Sequence, residues 1–139
     1  MSVAIPVSHR DLLTGPVYAV LTTLMPDNQP QSSVVWTDFD GTHVMVNTVE
    51  GRQKQRNMAE RPRVTVLAID TAQPFRWLEV RGEVVEITEE GAMTQIDKLA
   101  QIYTGAPAYY GHVSPAEQEG RETRVTCKIK PTRVLAYGA

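Results

Sequence analysis

The sequence predicts a mainly β fold, in which six or seven antiparallel strands close into a small barrel with helices packed outside. Three observations carry this. Runs rich in β-branched and aromatic residues recur at short intervals along the chain. Tight-turn chemistry, Pro26-Asp27-Asn28 and Asp40-Gly41, joins consecutive runs, which favours antiparallel pairing over a parallel α/β sheet. Gly82 interrupts the longest run and marks a bulge or a close backbone approach, the kind of kink that bends a sheet round on itself. With 139 residues, the chain is expected to form one domain over 1–139, large enough for a core but too small for separate cofactor and substrate domains.

Taken in order, Ser8 is placed to cap a short helix through Leu13, which Gly15-Pro16 stops. Val17 to Met25 reads as the first strand and Gln29 to Phe39 as its return. After Asp40-Gly41, His43 to Thr48 completes a three-strand meander. A short basic helix follows, beginning near Arg52 or Gln53, with Met58 and Ala59 turned inward. Arg63 to Asp70 and Trp77 to Ile87 are the fourth and fifth strands. From Glu89 to Tyr103 the period becomes helical, with Ala92, Ile96, Leu99 and Tyr103 on one stripe and Gly105 as the stop. Ala106 to Gly120 reads as a loop, either a connection or a lid. Arg121 to Lys130 and Arg133 to Tyr137 are closing strands, interrupted at Pro131.

Composition narrows the function. Hydrophobic residues make up 42% and charged ones 22%, which is ordinary for a globular chain and unlike a disordered one. No apolar run is long enough for a membrane helix, and the N-terminus lacks the pattern of a secretory signal. A single cysteine, Cys127, fits a reducing compartment, so a cytoplasmic protein is expected, and its place in the alternating run RVTCKIK reads as a buried apolar residue. His9, His43 and His112 match no metal-ligand spacing, and the common nucleotide-loop and hydrolase motifs are absent. A net charge of −2 without an extended basic stripe disfavours nucleic-acid binding.

Against that acidic balance, Asn47 to Val66 stands out. Arg52, Lys54, Arg56 and Arg61 crowd into it behind Gly51, whose freedom to adopt positive φ suits a turn opening a helix. Local positive charge of this kind is either a solvated helix face or a cradle for an anion such as phosphate.

The segments GPVYAVLTTLMPDNQPQSSVVW, VNTVEGRQKQRNMAERPRVTVLAID and RWLEVRGEVVEI, in this order, resemble the split β-barrel flavin and deazaflavin oxidoreductases, the superfamily named after pyridoxamine 5′-phosphate oxidase. The resemblance runs from about Leu12 to Tyr137 and is stronger to the branch that uses the deazaflavin coenzyme F420. It implies a split barrel like that of the FMN-binding proteins and a strand, Gln31 to Trp36, alongside the cofactor ring, with Ser33 at the ring edge and Val35 as an apolar wall. It further implies phosphate binding by Arg52, Lys54 and Asn57, with Asn47 and Thr48 entering from the preceding strand. Trp77 and Arg81 correspond to residues contributed across a two-fold interface to the partner's cofactor, so a homodimer with cofactor sites at the interface is implied. The expected activity is hydride transfer from F420 to a small unsaturated or conjugated substrate. FMN is the alternative cofactor, since both carry a ribityl phosphate arm, and a non-catalytic cofactor-binding protein is the alternative to an enzyme. The chain ends KPTRVLAYGA without the tryptophan that the oxidase uses for its substrate, which argues against pyridoxamine phosphate oxidation. No catalytic side chain is assigned, because hydride transfer is intrinsic to the ring and the protein mainly holds the reactants in register.

Overall fold

The computed structural model describes residues 2–139. Seven antiparallel strands form one sheet: β1 (Tyr18–Leu24), β2 (Pro30–Val35), β3 (Thr37–Phe39), β4 (Val44–Val49), β5 (Arg63–Ile69), β6 (Trp77–Thr88) and β7 (Arg124–Tyr137). Their spatial order is β2-β1-β5-β6-β7-β4-β3. The two edge strands, β2 and β3, are consecutive in the chain and separated by Trp36 alone, so the sheet must curl until its edges nearly meet. This is a split β-barrel, as expected, closed at one place by a covalent link in place of a hydrogen-bond ladder.

The three-strand meander is where the structure departs from expectation. The run from Gln29 to Phe39 is two strands: β2 pairs with β1, whereas β3 pairs with β4, which joins β7 on the far side of the sheet. The break at Trp36 has a physical cause. Its indole stacks on Tyr103 at 5.2 Å, and the Thr37 amide donates to the Tyr103 hydroxyl at 3.2 Å, so the chain turns at Trp36 against the last turn of the long helix Ala92–Thr104.

Gly82 behaves as its position implies. It pairs with Pro131 at a register shift, and a Cβ there would lie 2.5 Å from the Lys130 carbonyl oxygen and 2.6 Å from Ile129 Cγ2. A second shift follows between Val84 and Glu86. The closing strands are therefore one: β7 runs through Pro131, and the irregularity that the proline imposes is absorbed as a bulge.

Three helices accompany the sheet: α1 (Asp11–Thr14), α2 (Gln53–Glu60) and α3 (Ala92–Thr104). The expected helix from Ser8 to Leu13 is a 3-10 turn, Val7–His9, followed by α1; Ser8 does not cap it but bonds His9 Nδ1 at 2.8 Å. α2 follows Gly51, whose φ is 93°, and buries Met58 and Asn57, whereas Ala59 stays exposed. α3 buries Ala92, Ile96, Leu99 and Ala100 and ends at Gly105 in the left-handed conformation. Inside the barrel, Leu21, Val44, Val46, Val66, Leu78, Val80 and Ile129 make a continuous core with Leu12, Leu13 and Met58. Each such buried aliphatic side chain contributes roughly 1.5–3 kcal/mol. No helix among the described residues is long and apolar enough to cross a membrane.

Candidate functional site

Because β2 pairs only with β1, its other edge is free, and a cleft of about 200 Å³ opens beside it. Val34, Val35 and Trp36 form one wall. Ile96 and Leu99 of α3 supply apolar surface, and Tyr109 and Val113 rise from the loop that follows α3. Asn47, Arg52, Lys54 and Arg124 make the remaining side polar and cationic.

The positive charge is concentrated and largely unneutralised. Arg52 is exposed at the start of α2, and Lys54, half-buried, reaches Ser33 Oγ at 3.2 Å. Among the described residues no carboxylate pairs with either. Burial, and then the nearby Arg52 and Arg124 guanidinium groups, hold the Lys54 ammonium below the usual lysine range. An anion entering the cleft would relieve both the repulsion and the lost hydration. The other two cations of the segment are occupied elsewhere: Arg56 folds back onto the Gly51 carbonyl and Gln53, and Arg61 donates to the Leu24 carbonyl at 2.7 Å, clamping α2 to β1.

Arg124, which nothing in its sequence context marks, is buried behind the cleft. It donates to Asn47 Oδ1 at 3.2 Å and to the Tyr109 and Tyr110 hydroxyls at 2.9 and 3.2 Å. Glu122 is its counter-charge at 3.4 Å, and the guanidinium lies 4.5 Å from the Tyr109 ring centre. Burial raises the Tyr110 phenol above its usual range. Tyr109 in turn meets Trp36 edge-on at 6.1 Å, and its amide donates to Asp97 Oδ1 at 2.8 Å. The Ala106 to Gly120 loop is thus a fixed wall of the cleft, fastened to α3 and β7. Its Tyr109-Tyr110 pair was the available signal, since a tyrosine pair in a loop needs partners for its hydroxyls.

The structure brings Val35, Trp36, Asn47, Arg52 and Lys54 to one cleft, with Ser33 within reach of Lys54. Asn57 is fully buried: its amide donates to Thr23 Oγ1 and Gln31 Oε1, and its oxygen accepts from Gln53 and Arg61. Asn57 and Gln31 therefore tie α2 to β1 and β2. The Thr48 hydroxyl is buried without a partner, one position along β4 from Asn47. Trp77 and Arg81 are not brought to the cleft of their own chain. Trp77 stacks on Tyr137 at 5.6 Å, and Arg81 bonds Glu79 at 2.9 Å in a hollow shared with Arg63 and Arg133. Burial pushes the Cys127 thiol up to about 12, which makes it an inert core residue.

A family model described as pyridoxamine 5′-phosphate oxidase matches residues 5–138. The chain belongs to the pyridoxamine 5′-phosphate oxidase family. Several proteins of known structure superpose on it over most of its length. An F420 reductase is 32% identical, with a TM-score of 0.79, covering 94% of this chain and 98% of its own. A conserved hypothetical protein from Mycobacterium tuberculosis is 24% identical, with a TM-score of 0.74 and coverage of 98% and 86%. A putative pyridoxamine 5′-phosphate oxidase from Listeria innocua is 21% identical, with a TM-score of 0.62 and coverage of 86% of each chain. The last two are similar in fold alone. No functionally curated protein matches the chain.

Proposed function

We propose that this member of an oxidoreductase family is an F420-dependent reductase acting on a small unsaturated or conjugated substrate. One observation carries the reading: Arg52 and Lys54, without carboxylate partners, stand in the same cleft as the apolar strand end Val34 to Trp36. A cofactor with a phosphate arm and a planar ring needs cations at one end and an apolar slot at the other. The 32% identity to an F420 reductase supports F420 over FMN.

In this reading Arg52 and Lys54 hold the phosphate, and Arg124 adds to the field while keeping Asn47 and Tyr109 in place. Ser33, Val35 and Trp36 border the ring, with the unpaired edge of β2 offering backbone donors and acceptors. Asn57 and Gln31 keep α2 at the right distance from that edge. Thr48 lies on the opposite, buried face of β4 from Asn47 and does not line the cleft. Held by Arg52 and Lys54 and bordered by Val35 and Trp36, the reduced cofactor would supply a hydride to a conjugated acceptor. Trp77 and Arg81 act in the partner's site of a homodimer, for which the outward-facing Leu67, Trp77, Leu135 and Tyr137 provide apolar contact surface.

Titration of the purified protein with F420 and with FMN, followed by cofactor fluorescence, tests the assignment. F420 is expected to bind more tightly; the reverse order would replace it with FMN. Arg52→Ala combined with Lys54→Ala removes two charge-assisted contacts worth about 1.5–3 kcal/mol each. Unchanged affinity in that variant would remove the phosphate assignment. Acceptor-dependent oxidation of the bound reduced cofactor separates an enzyme from a carrier.

A further inference from the structure

Lys54 is set among cations where the other lysines of the chain face carboxylates. Of the four lysines, Lys98 bonds Asp38 at 2.8 Å, Lys128 lies 3.9 Å from Glu86, and Lys130 stands opposite Glu83 in the β6–β7 register. Lys54 instead has the Arg52 and Arg124 guanidinium groups as charged neighbours, and its side chain bonds a neutral hydroxyl, Ser33 Oγ, at 3.2 Å. It lines a cleft whose other wall is apolar, with Val35, Trp36, Ile96 and Leu99. A lysine that is partly desolvated and crowded by like charge is the setting in which an amine becomes a nucleophile toward carbonyl groups. Both conditions hold here: burial first, and then the two guanidinium groups, keep the ammonium below the usual lysine range, so more of it is the neutral amine that attacks carbon.

We propose that in the cofactor-free protein Lys54 is an imine-forming amine, which captures small aldehydes built on a flat ring that carries an anionic group. Arg52 pairs with the anionic group while Arg124 adds its field, and Val35 and Trp36 pack against the ring. The Lys54 nitrogen attacks the carbonyl carbon, and the carbonyl oxygen takes up a proton from that nitrogen to give a carbinolamine. Loss of water then leaves a C=N bond, with no change of oxidation state and no further reactant. Ser33 Oγ, already in contact with the nitrogen, is within reach to pass the proton between the two atoms. The bond engages the same nitrogen that a phosphate would need, so the adduct and a cofactor held by Lys54 exclude one another. The proposal does not depend on the reductase reading, because it uses only the amine, the cations and the apolar wall.

Trapping with sodium cyanoborohydride, which reduces the imine to a stable secondary amine, tests this, and peptide mapping by mass spectrometry identifies the lysine labelled. The full-length protein is treated at neutral pH with 4-formylbenzoate or with 4-formylbenzamide, a neutral ring of the same shape whose carbonyl is no less electrophilic. Lys54 is expected to be labelled about tenfold faster than Lys98, Lys128 or Lys130, and faster by the benzoate than by the benzamide. Arg52→Ala, at an exposed position, should remove most of the preference for the benzoate, with thermal unfolding to verify its fold. Labelling spread evenly over the four lysines, equal rates for the two aldehydes at Lys54, or a preference unmoved by Arg52→Ala overturns the proposal. Labelling after saturation with F420 bears separately on the reductase reading. Loss of label at Lys54 alone supports the phosphate assignment, whereas F420 that binds without shielding Lys54 sinks that assignment and leaves the imine proposal standing.

Discussion

Asn57→Ala separates the scaffold from the ligand contacts. Asn57 has no exposed surface; of the four hydrogen bonds made by its amide and oxygen, one is to Gln53 within α2 and the other three reach β1, β2 and Arg61. Thr23, which accepts one of them, is itself 1% exposed, so the truncation strands its hydroxyl away from water. A buried polar group left unpaired costs about 1–3 kcal/mol, and each bond whose surviving partner can reach solvent about 0.5–1.5 kcal/mol. Together these predict a loss of about 3–5 kcal/mol, a large part of the ~5–15 kcal/mol that stabilises an ordinary domain. With a urea m-value of about 2 kcal/mol/M, the unfolding midpoint followed by circular dichroism should fall by roughly 1.5–2.5 M. Cofactor affinity of the folded variant should fall less than that of Lys54→Ala. A midpoint shift below about 0.5 M, together with a tenfold or greater loss of cofactor affinity, would refute the scaffold role and make Asn57 a ligand group.

Three further outcomes are expected. Burial keeps the folded-state pKa of Lys54 below its unfolded value, so the unfolded chain binds that proton more readily. Deprotonation in the alkaline range therefore stabilises the unliganded fold while removing the charge an anion needs, and calorimetric affinity for F420 should drop as pH rises through the lowered value, a slope that Lys54→Met flattens. Gly82→Ala forces a Cβ against the Lys130 carbonyl and should destabilise by about 1–3 kcal/mol, toward the upper end because the obstacle is backbone, as read by thermal or urea unfolding. Arg76 bonds Asp11 at 2.6 Å and Asp70 at 3.0 Å, and these bonds hold both carboxyls below the usual carboxylate range. Their stabilisation is complete above the unfolded carboxylate pKa of about 3.9 and is lost as pH falls through the lowered values, so the Tm difference between wild type and Arg76→Met should be widest at neutral pH and vanish in strong acid.

What was legible in the sequence was local. Asp40-Gly41 announces the turn between β3 and β4, Gly51 the entry to α2, Gly82 the close approach to the Lys130 backbone, and Ala92, Ile96 and Leu99 the buried stripe of α3. Each depends on neighbours within a few residues or on a periodicity. What was not legible depends on contacts distant in sequence. Trp36 splits a β-rich run because Tyr103 waits for it across the fold, and no pattern between Gln29 and Phe39 records that. Arg124 alternates with Thr126 and Lys128 as a solvent-facing residue would, and only the docking of Tyr109 and Tyr110 buries it. The same holds for Asn57: the spacing Arg52, Lys54, Asn57 groups three polar residues, yet helix geometry sends the third inward beside Met58.

The free edge of β2 has a consequence for how the chain behaves when empty. An unpaired strand edge presents a row of backbone donors and acceptors to any extended chain that passes, and edges of this kind promote association between molecules. Here Val34 adds an apolar side chain that is 69% exposed on the same strand. Under the proposed function, a cofactor in the cleft would cover part of that edge and so would guard the folded chain against association. Preparations kept saturated with cofactor should stay monodisperse at concentrations where empty ones form larger species.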